Sequence, residues 1–358
     1  MFDVVVVGGG PAGSAAALTL RRHAPEIAVA QLEADCWRAE RIGETISPGA
    51  LPLLAYLGVK ASFEQAGFEP LHGFAAAWGD DRVLTRDFLF TGRGQGWALD
   101  RRRFDWGLAH AAEAAGTALL TDTPVRHVAW TGRNWRLTLG DGEMEARYFI
   151  DATGRGARLA RSLGARLGRY DRLVAAAAYL SCDTGRAEGA VLVETVPQGW
   201  WYSAPLPGGR LAVALMTDAD IAHREGFTGV APWRAALSEA PHTAARLDGH
   251  APHSIRIWSA RSQALDPPCG EGWAAAGDAA AAFDPLSSMG IGYALSSGAA
   301  AAALAVRSLN GEDDGTAYRD DVARHVAAFH THQSGYYGLE RRFAHAPFWR
   351  ARQGGASP

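Results

Sequence analysis

The sequence predicts an α/β fold: a Rossmann-like dinucleotide-binding domain, discontinuous in sequence, with an antiparallel β-sheet substrate domain inserted in it. Three observations lead there. The chain opens on an apolar strand pattern, a glycine-rich turn and an Ala-rich helical pattern, residues 2–22. A second glycine-bearing stretch, residues 272–292, lies far downstream and also runs into an Ala-rich helical pattern. Between them, residues 173–215 alternate apolar runs with turn residues such as Pro207-Gly208-Gly209, the pattern of antiparallel strands.

The opening stretch is the most informative. Phe2-Asp3-Val4-Val5-Val6-Val7 is a run of strand formers, followed by Gly8-Gly9-Gly10-Pro11-Ala12-Gly13. A Gly-x-Gly-x-x-Gly turn between strand and helix is a dinucleotide-binding signature. Gly8 makes the tight turn, Gly10 admits a pyrophosphate close to the backbone, and Gly13 lets helix and strand pack closely. Pro11 and Ala12 start the helix, whose free N–H groups and positive dipole end suit phosphates. After a second apolar run, residues 27–32, come Glu33 and Ala34. A carboxylate at this strand end accepts from a ribose 2′-OH and disfavours a 2′-phosphate.

Composition narrows the class. The 358 residues are 48% hydrophobic and 20% charged, as in soluble globular proteins. A net charge of −3 argues against a nucleic-acid partner, which would want a basic face. Cys36, Cys182 and Cys269 are too widely spaced for a metal-ligand pair or a disulfide framework, so no metal and a reduced, cytoplasmic location are expected. No basic-then-apolar leader precedes the first strand, and no run reaches the roughly twenty apolar residues of a transmembrane helix. Lys60 is the only lysine.

Further along, Arg41-Ile42-Gly43-Glu44-Thr45 is a polar turn ahead of an apolar-periodic segment, residues 51–57, and is placed to bring Arg41 and Glu44 beside a cofactor. Residues 73–90 read as a hairpin about Gly79-Asp80-Asp81, residues 92–96 as a flexible loop, and residues 101–115 as an amphipathic helix stopped by Gly116. Residues 125–130, 135–139 and 144–150 read as a meander ending in Asp151-Ala152-Thr153-Gly154. A helical region at 233–247, a return towards the core at 255–264, and helices ending at 309 and spanning 316–329 follow. From Gly335 onward the chain reads as a tail packed on the surface. The division expected is 1–70, 98–170 and 265–332 for the dinucleotide domain, 71–97 and 171–264 for the β-sheet domain, and 333–358 for the tail.

With these pieces in order, the chain resembles flavoproteins of the two-dinucleotide-motif class. This is the glutathione-reductase-type fold, in the topology of aromatic hydroxylases, geranylgeranyl reductases and flavin-dependent halogenases. The resemblance covers residues 2–310. Gly277-Asp278, Asp284-Pro285 and Gly290-Ile291-Gly292 are the residues that select FAD over NAD. The resemblance implies that Asp278 binds the FAD ribitol or pyrophosphate. It also implies that the helix after Pro285, Ser288 and Met289 aims its N-terminus at the flavin pyrimidine ring, where N–H groups and the helix dipole stabilise negative charge. Arg101 (ahead of Phe104-Asp105), the Arg41–Glu44 loop, Val125 on the adenine side and Thr153-Gly154 are implied as further contacts to a non-covalent FAD.

A narrower resemblance rests on Arg41-Ile42-Gly43-Glu44, Asp151-Ala152-Thr153-Gly154-Arg155, Trp200-Trp201-Tyr202-Ser203-Ala204-Pro205 and residues 284–292. These are similar to halogenase-like flavoproteins, one branch of which matures tryptophylquinone enzymes by hydroxylating a tryptophan of a partner subunit. It implies an FAD-dependent monooxygenase in which a flavin C4a-hydroperoxide, formed with O2, passes oxygen to an aromatic ring. The ring is a tryptophan side chain of a partner polypeptide or a free small aromatic compound. Phe74, Trp78, Trp200, Trp201 and Tyr202 are expected to wall the substrate cavity, and His72 is the candidate proton carrier. Halogenation is disfavoured by three departures. The halogenase lysine would fall near His72-Gly73-Phe74, the halide loop reads Ser288-Met289-Gly290 instead of Ser-Thr-Gly, and Tyr202 replaces the second tryptophan of Trp-x-Trp-x-Ile-Pro. Hydride transfer to an apolar small molecule, as in the geranylgeranyl reductases, and a non-catalytic flavoprotein holding a maturing partner remain open alternatives. No second Gly-x-Gly-x-x-Gly follows a strand, so the electron source is NAD(P)H bound transiently or a separate reductase.

Overall fold

A computed structural model describes residues 1–91, 94–181 and 189–354. Gly92 and Arg93 of the expected loop, Cys182 and residues 355–358 lie outside the described residues. Two large sheets carry the architecture. The first has eight strands, with Phe2–Val7 at its centre, parallel to Val29–Leu32 on one side and to Gly142–Asp151 on the other. Trp273–Ala275 adds in parallel beyond Gly142–Asp151, and Ala118–Leu120 beyond Val29–Leu32. A parallel sheet covered on both faces needs continuous apolar strands, and Val4, Val5 and Val6 are all fully buried. The expected meander is present as His127–Trp130, Trp135–Leu139 and Gly142–Asp151, antiparallel throughout.

The helices Pro11–His23 and Gly290–Leu309 pack against each other beside this sheet. Their Ala-rich faces permit contact at backbone distance. A Cβ placed on Gly298 would stand 2.2 Å from the Ala12 carbonyl oxygen and 3.1 Å from Ala15 Cβ. Among the described residues, no helix is long and apolar enough to cross a membrane.

The second sheet has seven strands. Its order is Arg256–Ser259, Leu173–Ser181, Arg210–Asp218, Gly199–Leu206, Ala190–Val196, Gly73–Ala77 and Leu84–Asp87. The early hairpin joins it through parallel pairing of Gly73–Ala77 with Ala190–Val196. One face is covered by Val230–Leu237 and Pro241–Leu247. There Trp233 meets Trp201 edge-on at 4.8 Å and donates its indole N–H to the Ala176 carbonyl at 2.9 Å.

The C-terminal segment corrects the sequence expectation. The helix expected over 316–329 runs Thr316–Leu339, and a further helix, Pro347–Gln353, follows. Tyr337, Phe348 and Trp349 are at most 1% exposed and join the core of the seven-stranded sheet, against Trp78 and Trp200. Trp349 donates to the Val196 carbonyl at 2.8 Å, and Arg352 pairs with Asp218 at 2.7 Å. The segment is a plug rather than a surface tail. Its polar residues hide the apolar ones from periodicity, and the sheet face that carries Trp200 is buried by them.

Two outcomes are expected. Trp349→Ala should lower stability by about 3–5 kcal/mol, the range for deleting a buried tryptophan side chain, in urea denaturation followed by circular dichroism. Truncation before residue 335 should expose Trp200 and Trp78 and yield aggregated protein, read by size-exclusion chromatography, whereas a surface tail would be dispensable.

Candidate active site

A continuous cavity of about 500 Å³ runs from the glycine turn to the face of the seven-stranded sheet. Its nucleotide half is shaped by missing side chains. Gly8 has φ +124°, and a Cβ there would lie 2.2 Å from the Ala152 carbonyl oxygen. A Cβ on Gly13 would lie 2.0 Å from the Gly8 carbonyl oxygen. Gly10 differs: its Cβ would meet nothing nearer than Arg41 at 3.8 Å, so it faces open cavity. The helix Pro11–His23 begins there without a side-chain cap, leaving its first N–H groups free for an anion.

Glu33 is buried at the end of Val29–Leu32. It accepts from Gly9 N–H at 2.6 Å and pairs with Arg41 at 3.3 Å. Arg41 also reaches Asp105 at 3.2 Å. Arg101 grips the same Asp105 through two bonds of 3.0 Å and donates to the Ile42 carbonyl at 2.6 Å. The aspartate of the Arg-x-x-Phe-Asp run therefore positions both arginines on the cavity wall. Ala34, Val125, Thr153 and Gly154 line the same slot.

The downstream glycine stretch closes it. Gly277 has φ +61° and sits so near the opening helix that a Cβ would be 2.7 Å from Ala12 Cβ. Asp278 lines the cavity and pairs with Arg155 at 3.2 Å. Pro285, Ser288, Gly290 and Ile291 form the next stretch of wall, and the Gly290–Leu309 helix starts there without a side-chain cap. Gly13, Gly277, Met289 and Gly292 shape the backbone without forming wall; Met289 packs into the main core.

The substrate half departs from expectation. Of five aromatic residues expected to wall it, Tyr202 alone does so. Trp201 points to the opposite sheet face, onto Trp233. Trp200 shares Tyr202's face but is covered by Tyr337, to whose hydroxyl it donates at 3.0 Å. Trp78 packs in the same cluster, and Phe74 packs edge-on against Phe88 at 5.1 Å. His72 is also displaced: it is exposed and lines a separate depression with Gly73, Ala75, His242 and Arg246, on the far side of the sheet. The pleat turns Trp201 away, because neighbouring residues of one strand face opposite ways, whereas Trp200 is lost to the cavity because Tyr337 covers it.

The wall is instead Ala175, Ala177 and Tyr179 on one strand and Ala212, Ala214 and Met216 on its neighbour. Tyr179, which sequence reasoning missed, donates its hydroxyl to Glu44 Oε1 at 2.5 Å. Glu44 Oε2 accepts from Gly43 N–H at 3.0 Å. Burial pushes the Glu44 carboxyl above its usual range, and burial beside Glu44 raises the hydroxyls of Tyr179 and Tyr202, which stay protonated. The signal in the sequence was parity: Tyr179 is the one large residue on the cavity face of an alanine run.

The residues fit a flavin dinucleotide. A Gly10 cradle that a side chain would fill, two uncapped helix starts and a buried ribose-side carboxylate share one cavity. Comparison with known proteins agrees. The FAD binding domain family matches residues 1–317. LodB of Marinomonas mediterranea, named as an FAD-dependent oxidoreductase, is 30% identical, with 98% of this chain and 96% of LodB aligned. The structure of QhpG, titled a peptidyl tryptophan dihydroxylase essential for tryptophylquinone cofactor biogenesis, has a TM-score of 0.81 at 28% identity, covering 99% of this chain and 79% of QhpG. CmlS, a flavin-dependent halogenase, has a TM-score of 0.85 at 25% identity, covering 98% of this chain and 67% of CmlS. Several further relatives carry halogenase or chlorinase names at 25–27% identity. The chain belongs to the FAD binding domain family, with the fold that flavin-dependent halogenases and monooxygenases share.

Proposed function

We propose that this FAD-dependent oxidoreductase is a monooxygenase that hydroxylates an aromatic ring, and that the ring is the indole of a tryptophan in a partner polypeptide. The observation that carries this reading is the substrate half of the cavity, which adjoins the flavin slot and contains no lysine. The chain's single lysine, Lys60, pairs with Glu64 at 3.7 Å away from the cavity. Halogenase-type delivery through a lysine therefore has no residue to act. QhpG supports the hydroxylase side because its title names a peptidyl tryptophan dihydroxylase, while LodB supports the FAD-dependent oxidoreductase class alone.

FAD supplies the O2-dependent redox chemistry when bound, with electrons from NAD(P)H or a separate reductase. The chain's own residues bind and orient. The start of Pro11–His23 and the open space at Gly10 would hold the pyrophosphate, Glu33 would accept from the ribose, and the start of Gly290–Leu309 would offer its N–H groups to the flavin ring. Arg41 and Arg101 keep their orientation through Asp105. The alanine wall and Tyr202 exclude water around the reacting ring.

Gly10→Val should leave the thermal midpoint of the apoprotein near wild type, since its Cβ meets no protein atom nearer than Arg41 at 3.8 Å. It should cut retained flavin at least tenfold by absorbance. Gly13→Val, with no room for its Cβ, should fail to fold. The activity test incubates reconstituted protein with O2, a reductant and a tryptophan-containing peptide of a candidate partner, with mass spectrometry of the product. A mass gain of one or two oxygens on tryptophan is expected. Halide incorporation, or reduction of the substrate without O2 uptake, would overturn the reading.

A further inference from the structure

The wall facing the flavin slot is paved with small side chains. Leu173–Ser181 and Arg210–Asp218 run antiparallel, with Ala177 opposite Ala214 and Tyr179 opposite Ala212. Ala175, Ala177, Ala212 and Ala214 all face the cavity, and Tyr202 stands beside Ala214 on the next strand. Larger residues at these positions would fill the space with the sheet's own side chains. Alanines leave a flat, apolar alcove against the slot.

Beside the Tyr179 and Tyr202 hydroxyls, one carboxylate borders that alcove. Glu44 is 6% exposed, and its two oxygens accept from Tyr179 and from Gly43 N–H. A carboxylate has about four acceptor positions, so these two bonds and a contact from Glu44's own N–H leave one position over. No ion pair takes it up among the described residues. Arg101, whose charge Glu44 feels, commits its donors to Asp105 and to the carbonyls of Ile42 and Gly43. A buried carboxylate with an unused acceptor beside an apolar wall is unfavourable until a donor arrives. Indole is such a donor: a flat apolar ring with one N–H and no acceptor.

Resting on the hydroxylase reading, we infer that the alanine alcove seats the substrate's indole ring and that Glu44, oriented by Tyr179, accepts the ring N–H. The pair thereby selects indole over aromatic rings that lack the donor. Burial raises the Tyr179 hydroxyl, which keeps it a donor to Glu44 throughout the neutral range. A site built around a ligand's hydrogen bond rejects analogues without it more sharply than an apolar pocket rejects a change of size.

The test reads binding, not turnover. Flavin-loaded protein is titrated with N-acetyltryptophanamide and with its benzothiophene isostere, in which sulfur replaces N–H, following the bound-flavin spectrum. Wild type should bind the indole about tenfold more tightly, as expected for a hydrogen bond to a charged group. Glu44→Gln, whose neutral bond is about half as strong, should reduce the preference to about threefold. Ala177→Leu and, separately, Ala214→Leu should weaken both ligands at least tenfold with flavin content unchanged and the ratio preserved. Equal binding of the two ligands by wild type, or unchanged binding by both leucine variants, would overturn the inference. If the indole preference holds but no oxygen is added on turnover, the hydroxylase reading fails while the alcove stands. If the benzothiophene isostere is bound and oxidised as well as the indole, the alcove inference fails while the hydroxylase reading stands.

Discussion

The structure depends on the absence of side chains where its backbones meet. Gly8 abuts Ala152, Gly13 abuts Gly8, and Gly298 abuts Ala12, each with a backbone oxygen about 2 Å from where a Cβ would stand. These three contacts lock the opening strand, the opening helix and the helix Gly290–Leu309 into one block. Once locked, the starts of both helices open on a single cavity, although 279 positions separate Pro11 from Gly290. Uncapped N–H groups from two helices then make a region suited to phosphates and to an electron-rich ring.

Around that block, charged groups are held by one another. Asp105 ties Arg41 to Arg101, and Arg41 ties the loop after Val29–Leu32 to Glu33. The slot's cations are thereby fixed by buried acids, so their geometry is set before a ligand arrives. On the substrate side the logic is reversed: small apolar residues create space, and one carboxylate is held by a tyrosine hydroxyl and backbone N–H groups. The same cavity thus has a pre-organised, charged half and a permissive half.

The C-terminal plug ties the halves together. Tyr337 donates to Asp284 at 2.7 Å and accepts from Trp200 at 3.0 Å, and Gln333 reaches Asp284 at 3.1 Å. Asp284 also caps Leu286 in the loop that carries Pro285 and Ser288. Burial pushes its carboxyl above the usual range. A loop of the flavin slot is therefore held by a residue of the last long helix and by a tryptophan of the second sheet.

Much of this was legible in the chain itself. The strand Phe2–Val7, its glycine turn, the hairpin of Gly73–Ala77 with Leu84–Asp87, the meander and the helix Gly290–Leu309 follow from local pattern, because each is set by period, β-propensity or positive φ. Glu33, Arg41, Arg101, Val125, Thr153, Asp278 and Pro285 fall on the cavity because motif spacing encodes backbone geometry. Tertiary structure alone decided the rest. Whether Trp200, Trp201 or Tyr202 meets the cavity depends on strand parity and on which segment covers each residue: Trp233 covers Trp201, and Tyr337 covers Trp200. The Tyr179–Glu44 bond joins residues 135 positions apart. Nothing local marks such a pair, since it exists only once two sheets' worth of pairing has brought the loop and the strand together.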